Sequence, residues 1–351
     1  MLLYIHIPYC DSKCHYCSFN SYVDRFDTRE RYMRALLQQL EFEVERFEVK
    51  NGEIESLFIG GGTPSTVDPR LYAPLFETLR PLLAKGAEIT SEANPNSASP
   101  EWLKGMYSLG VNRLSFGVQS FDPAKLKALN RAHSPKDALQ AIKTAHAIGF
   151  EHLSLDLIYN YQGDTPELLG RDIEQAFQLP IDHISAYELT IESQTQFATT
   201  PEVRQENDSL AFFVAKSITQ RGFAHYEISN FGTHFSRHNR GYWQLKDYMG
   251  IGAGAVGFLK DRRYYPTTDI EQYIDNPLRI TEEPLNSEER LTERIFLGLR
   301  SDVGLHSHDL SPEMLARCDF LVREGKLEKE HDFYQNRNFF LADEIALYVL
   351  G

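Results

Sequence analysis

The sequence predicts an α/β protein built on a parallel sheet, and three observations predict it. Six apolar, β-prone runs alternate with amphipathic stretches over roughly the first 200 residues, the pattern of βαβ units. The chemically distinctive residues fall at or just past the C-terminal ends of those runs, the side on which parallel sheets hold ligands. No fixed period recurs, which excludes a repeat array. A closed barrel of this kind needs more than six units, so the alternation leaves an incomplete barrel or an open, doubly wound sheet.

Each element has a local reason. Leu2–Pro8 is an apolar strand that runs into a cysteine-bearing loop. Residues 28–47 form a helix with Tyr32, Leu36, Leu37, Leu40 and Val44 on one side. Glu55–Ile59 is a second strand, ending in Gly60-Gly61-Gly62-Thr63-Pro64; Asp68-Pro69 then opens a helix. Ala87–Ser91 is a third strand, followed by Glu92-Ala93-Asn94-Pro95 and a helix over Pro100–Leu109 that stops at Gly110. Arg113–Val118, ending at Gln119, is the fourth strand; helices over 123–130 and 135–148 follow, the second closed by Gly149. His152–Tyr159, with Asp156, and His183–Leu189 are the last two strands, separated by a helix over Pro166–Gln178.

Residues 190–204 are polar and turn-rich and read as a linker. A helix over 205–221 and a strand over Phe223–Ser229 precede a loop with His238-Asn239-Arg240-Gly241-Tyr242-Trp243. Helical periodicity returns at 287–299 and 311–324, and 327–349 reads as a strand pair with a final segment. The expected division is 1–200 for the six units, 201–285 for an α/β extension, and 286–351 for a small helical, winged-helix-like module.

The chain has 351 residues and a net charge of -14 without a Lys/Arg-rich cluster, which weighs against a nucleic-acid surface. No apolar run approaches a membrane span, and His6 and Pro8 interrupt the apolar start, so no leader is expected. Peripheral membrane contact stays compatible with this composition. Four cysteines, three of them clustered, argue for a reduced, cytoplasmic protein. Cys318 reads as an inert buried thiol. No oligomeric state is predicted.

The triad Cys10-x3-Cys14-x2-Cys17 is a soft-ligand trap. Closed zinc and ferredoxin sites take a fuller ligand set, so three thiolates leave one metal position open. A zinc site borrowing His15 or His6 is the competing reading. The glycine run at 60–62 points to a close approach of backbone to ligand. Glu92, Gln119, Arg131 and Asp156 on the same rim suit a zwitterionic or ribose-bearing ligand. Gly250-Ile251-Gly252-Ala253-Gly254-Ala255 matches a dinucleotide fingerprint formally, but no helix follows, so it reads as a buried turn. His238 is a metal-capable imidazole among planar groups, and a histidine of this kind is what binds heme iron.

With Cys10-x3-Cys14-x2-Cys17 the chain resembles the radical S-adenosylmethionine (SAM) superfamily. That resemblance implies a [4Fe-4S] cluster on Cys10, Cys14 and Cys17, with SAM on the remaining iron. Tyr4-Ile5-His6-Ile7-Pro8, Phe58–Pro64, Glu92–Pro95, Arg113–Phe121, Leu129-Asn130-Arg131 and Asp156–Tyr159 are similar to motifs of the oxygen-independent coproporphyrinogen III oxidase-like group. By position, Tyr4, Gly61, Gly62, Thr63, Glu92, Gln119, Arg131 and Asp156 match residues that contact SAM in that group, and Tyr16 matches an aromatic beside the cluster. An incomplete (β/α)6 barrel with a smaller C-terminal α/β and helical region is implied.

Two subgroups differ near the cluster. The oxidases carry a further cysteine two residues after the third and an N-terminal extension. This chain has Phe19 there, and Tyr4 stands almost at its start. In both features it resembles the HemW-type heme chaperones, as it does at His238–Trp243 and Leu297-Gly298-Leu299-Arg300. The implied function is to bind heme, with His238 as a candidate heme-binding residue, and to deliver it to acceptor hemoproteins. No catalytic residue is assigned. The alternative is radical decarboxylation of coproporphyrinogen III in porphyrin biosynthesis. Tyr161-Gln162 stand where the group usually has Leu-Pro, and Val256 where a histidine is common.

Overall fold

Six parallel strands form the centre of the computed structural model, which describes residues 1–351. They are β1 (Leu2–Ile7), β2 (Ile54–Gly61), β3 (Leu83–Ala93), β4 (Arg113–Gln119), β5 (His152–Tyr159) and β6 (His183–Glu188). Each pairs in parallel with the next in chain order. Alternation along the strands explains why they assemble. Leu3, Ile5, Leu57, Ile59, Leu114, Phe116, Leu153 and Leu155 share one parity and belong to one buried cluster of 57 residues. The other parity is polar: Tyr4, Ser56, Glu88, Thr90, Glu92, Arg113, Ser115, Ser154, Asp156, His183 and Ser185. Side chains alternate faces with period two, so the first set packs on helices and the second lines the concave face.

The covering helices are α1 (Arg29–Arg46), α2 (Pro69–Leu79), α3 (Pro100–Leu109), α4 (Pro123–Ala128), α5 (Pro135–Ile148), α6 (Pro166–Phe177) and α7 (Asp208–Thr219). Five of them start alike. Asp68, Ser99, Asp122, Ser134 and Thr165 each accept a backbone N–H of the first turn, and each is followed by proline. Each cap contributes about 1 kcal/mol, and proline at the first helical position forfeits no internal bond. The repeated cap–proline start places the strand-to-helix turns firmly on the rim.

Residues 223–229 are not one strand. β7 (Ala224–His225) and β8 (Asn230–Gly232) form a tight antiparallel hairpin whose second arm pairs antiparallel with β6. The expected loop at 238–243 is a short helix, α8 (Arg237–Trp243), because Ser236 caps it and Glu88 accepts two of its first N–H groups. Next come β9 (Tyr248–Ile251), β10 (Gly257–Leu259), β11 (Arg262–Pro266), α9 (Ile270–Asp275) and β12 (Ile280–Pro284). β9 joins β1 in parallel, and β10 to β12 extend that edge. The twelve strands run β12-β11-β10-β9-β1-β2-β3-β4-β5-β6-β8-β7. β1 and β6 therefore never meet, and the barrel stays open. The sheet runs without a break across residue 200.

The tail comprises α10 (Ser287–Leu299), β13 (Leu305–His306), α11 (Pro312–Arg323), β14 (Leu327–Glu330), β15 (Phe333–Asn336) and α12 (Ala342–Leu350). Its antiparallel sheet, β13-β15-β14, and its helices enclose a separate core of eleven residues that includes Cys318. No helix is long and apolar enough to cross a membrane.

Residues 190–204 do not behave as a free linker. Phe197 is 5% exposed, its N–H donates to the carbonyl of His15, and Val203 accepts from the N–H of Gln162. Phe197 joins Leu129, Ile158 and Leu189 in a small apolar cluster against which Tyr16 packs. The polar composition concealed one anchoring aromatic that clamps the cysteine loop.

Candidate cofactor site and cavity at the barrel mouth

The cysteine loop is held from several directions. The N–H of Cys10 donates to Tyr22, and that of Cys17 to Cys14. Asn130 donates to the carbonyl of Lys13, and the Asn20 side chain donates to the carbonyls of Ala253 and Thr268. A relay then connects two of the thiols. The Thr63 hydroxyl donates to Sγ of Cys10 at 3.4 Å, and Asn94 donates to the Thr63 hydroxyl at 3.1 Å. Arg131 donates to Oδ1 of Asn94 at 2.6 Å and to Sγ of Cys14 at 3.1 Å. Asn94 was not among the expected site residues. It lay inside the Glu92–Pro95 motif, but nothing in the sequence singled it out from its neighbours.

The rim residues lie close together in the structure. Gly61 has φ +112°, and a Cβ there would lie 2.4 Å from the His6 ring; one on Gly62 would lie 2.8 Å from the carbonyl oxygen of Tyr9. In the fold itself, β1 and the cysteine loop already crowd both positions enough to demand glycine. The N–H of Gly61 donates to Oε2 of Glu92. Gln119 ends β4 at φ +70°, a left-handed conformation that costs about 1 kcal/mol or more in a non-glycine residue. Tyr4 lies mid-strand, its hydroxyl 3.0 Å from Nδ1 of His6. Burial and the Asp156 carboxylate push Glu92 up to about 8. Burial pushes Asp156 up to about 6, against hydrogen bonds from Ser185 and Ser115.

A cavity of about 930 Å³ opens beside these groups. Its walls include Tyr4 and Glu92 of the barrel, Phe19 of the cysteine loop, His238 and Tyr242 of α8, and Phe296 of α10. Twelve of its 22 lining residues are hydrophobic, the make-up of a site for a large, mostly apolar ligand. Phe19 is 66% exposed, spent on the cavity rather than on the core. His238 is nearly sealed: its Nδ1 lies 2.8 Å from the Ser56 hydroxyl and its Nε2 2.8 Å from that of Tyr242. Burial lowers it to about 3, so its ring is neutral at physiological pH.

The radical SAM superfamily model matches residues 4–176. The heme chaperone HemW of Bacillus subtilis is 35% identical over 323 residues, covering 86% of this chain and 84% of that protein. That of Escherichia coli is 38% identical over 263 residues, covering 73% and 69%. The chain belongs to the HemW family of radical SAM proteins. The solved coproporphyrinogen III oxidase HemN of Escherichia coli, itself titled a radical SAM enzyme, matches with a TM-score of 0.83 at 20% identity, over 99% of this chain and 89% of that one. At that identity the likeness speaks for the fold, an incomplete barrel with its tail.

Membership of the HemW family brings a [4Fe-4S] cluster and SAM as cofactors, and the residues present fit both. The three thiols are free, and burial, with a smaller contribution from the neighbouring thiols, pushes those of Cys10 and Cys17 up. Bound iron reverses that by taking the thiolate form. The imidazoles that zinc would borrow are engaged elsewhere: His15 with the carbonyl of Ala128, His6 with that of Asn20. Glu92 and Asp156 repel each other across the recess, an arrangement that a cationic amine relieves. Nε of Arg131 is buried without a partner, a free donor in the same wall.

Proposed function

We propose that this protein binds heme in the cavity at the barrel mouth, next to a [4Fe-4S] cluster and SAM, and passes it to acceptor hemoproteins. The observation that carries the reading is the cavity itself, walled by aromatic groups from the cysteine loop, α8 and α10. Relatives named as heme chaperones, 33–38% identical, support it. In this reading Cys10, Cys14 and Cys17 hold the cluster. Tyr4, Gly61, Gly62, Thr63, Glu92, Gln119, Arg131 and Asp156 hold SAM, and Tyr16 screens the cluster from water. Bound together, these cofactors supply an electron-transfer centre, and the chain's residues orient them and keep solvent out.

His238 serves the heme from behind Tyr242. A neutral imidazole is the ligating form, and its Nε2 reaches iron only when the Tyr242 bond opens. Residues 1–200 then supply the cofactor site, 201–285 the α8 wall and 286–351 the α10 wall. The working compartment is the cytoplasm, with peripheral membrane contact where acceptors lie there.

The test is a titration of the cluster-loaded protein with heme, followed by its Soret band. One equivalent is expected to bind. Tyr242→Phe should tighten iron ligation by freeing Nε2, and His238→Ala should remove it. Unchanged heme spectra in both variants would remove His238 from the site. A parallel incubation of reduced protein with SAM and coproporphyrinogen III should leave the propionates intact; decarboxylated product would replace the chaperone reading with the oxidase one.

A further inference from the structure

At the end of the barrel opposite the cysteines, three side chains converge that neither cofactor uses. His152 opens β5, Asp182 immediately precedes β6, and His234 lies between β8 and α8. Along β5 this end is on the order of 20 Å from the rim. The ligand-capable atoms of the three side chains all lie within 4.8 Å of one another. The imidazoles stack with centroids 3.4 Å apart and planes inclined by 13°. Each lone pair lies in its ring plane, so His152, the more exposed of the two, turns out of the stack for both rings to reach one ion. Nδ1 of His152 lies 2.6 Å from Oδ2 of Asp182, whose Oδ1 accepts from the N–H of Leu153 at 3.2 Å.

The orientation of His234 is set by a second carboxylate. Its Nε2 lies 2.9 Å from Oε2 of Glu88, which leaves Nδ1 free. Glu88 is 2% exposed at its side chain and also accepts the N–H groups of Arg237 and His238. A carboxylate on the far nitrogen is the usual support of a metal-ligating histidine. Two imidazoles and one carboxylate are ligands suited to zinc. Zinc bonds of about 2.0–2.1 Å put neighbouring ligand atoms about 3.3 Å apart, inside the 4.8 Å spread found here. The side chains of His152, Asp182 and His234 are 30%, 25% and 17% exposed, so an ion and a completing water reach them from solvent.

We propose that His152, Asp182 and His234 form a site for one zinc ion, with Glu88 positioning His234. On binding, the ion takes the place of the hydrogen between Nδ1 of His152 and Oδ2 of Asp182, and the neutral ring carries its one proton on Nε2 instead. No electron is transferred. Glu88 connects this site to the first turn of α8, the helix that brings His238 and Tyr242 to the cavity wall. An ion there braces that wall from behind.

The experiment titrates the cluster-loaded protein anaerobically with Co2+, then displaces it with Zn2+. One equivalent is expected, with cobalt d–d absorption and no thiolate-to-cobalt charge transfer. His152→Ala and His234→Gln should each abolish that uptake while cluster absorption and the unfolding temperature show an intact fold. Glu88→Gln should weaken it by about 10–100-fold. A variant with Cys10, Cys14 and Cys17 all replaced by serine should keep it. No uptake by the unaltered protein, uptake undiminished in the double variant His152→Ala/His234→Gln, or a charge-transfer band lost with the serine variant would each overturn the proposal.

Discussion

Thr63, Asn94 and Arg131 hold the thiols of Cys10 and Cys14 in one hydrogen-bond chain. Donors to cysteine sulfur stabilise the more negative, reduced form of a cluster. Thr63→Val keeps the shape and removes one donor. A net hydrogen bond is worth about 0.5–1.5 kcal/mol, so the reduction potential should fall by on the order of 20–60 mV. Potentiometry of the reconstituted variant checks this, and an unchanged potential would separate Thr63 from the cluster. Glu92 and Asp156 give a second prediction at this scale. With Glu92 up to about 8 and Asp156 up to about 6, the pair keeps a proton near neutrality, and a bound ammonium requires its release. SAM affinity should therefore rise from pH 6 to pH 8, by at most about tenfold per unit for each proton released, and Glu92→Gln should flatten the rise. The sign for stability is opposite. A carboxyl raised in the fold loses its stabilising contribution as pH climbs from about 4.3, its unfolded value, through about 8. Glu92→Gln should accordingly raise the unfolding temperature of the SAM-free protein at pH 8.

Among the elements, the segment 190–204 changes most in meaning. Its two short 3-10 turns, 196–199 and 201–203, clamp the cysteine loop through Phe197. Truncation of a buried phenylalanine costs about 3–5 kcal/mol in a large core; in this small cluster about 2–4 kcal/mol is expected for Phe197→Ala. Because its N–H anchors the carbonyl of His15, the loss should fall on the cysteine loop. Hydrogen exchange of residues 10–19 should rise, and a chelator should strip iron faster than from the unaltered protein. Global unfolding with no local change in exchange would count against the clamp. The short helix α8 depends on tertiary partners too, since seven residues are too few to hold a helix alone in water. Ser236 and Glu88 supply what its own length does not.

In the whole molecule, the cavity exists because the tail folds back on the sheet edge. Arg263 of β11 pairs with Glu293 of α10, and Arg240 of α8 with Asp302. The tail has its own core, so it can shift as a body while both parts stay folded. Glu293→Lys sets two cations against each other at this junction. Heme affinity should drop severalfold, while SAM affinity and cluster absorption hold, because only the α10 wall moves. Equal losses of SAM and heme would mean that the substitution damages the barrel instead.

The barrel was legible in the chain because its causes are local. Period-two alternation, cap–proline helix starts and glycine stops act within a few residues, as at Ser99-Pro100 and Gly110. The cofactor loop was legible because its three thiols lie within one turn-rich stretch. The sequence by itself thus determined the fold class, the rim and the metal-binding chemistry. Only the tertiary structure decided that His6 and the Tyr9 carbonyl oxygen crowd Gly61 and Gly62. It also decided that Asn94 completes a relay, that Phe197 clamps the loop, and that His238 is committed to Ser56 and Tyr242. These are contacts between residues far apart in the chain, 182 positions for Ser56 and His238. No local pattern encodes such a pair, because what brings it together is burial summed over the whole sheet.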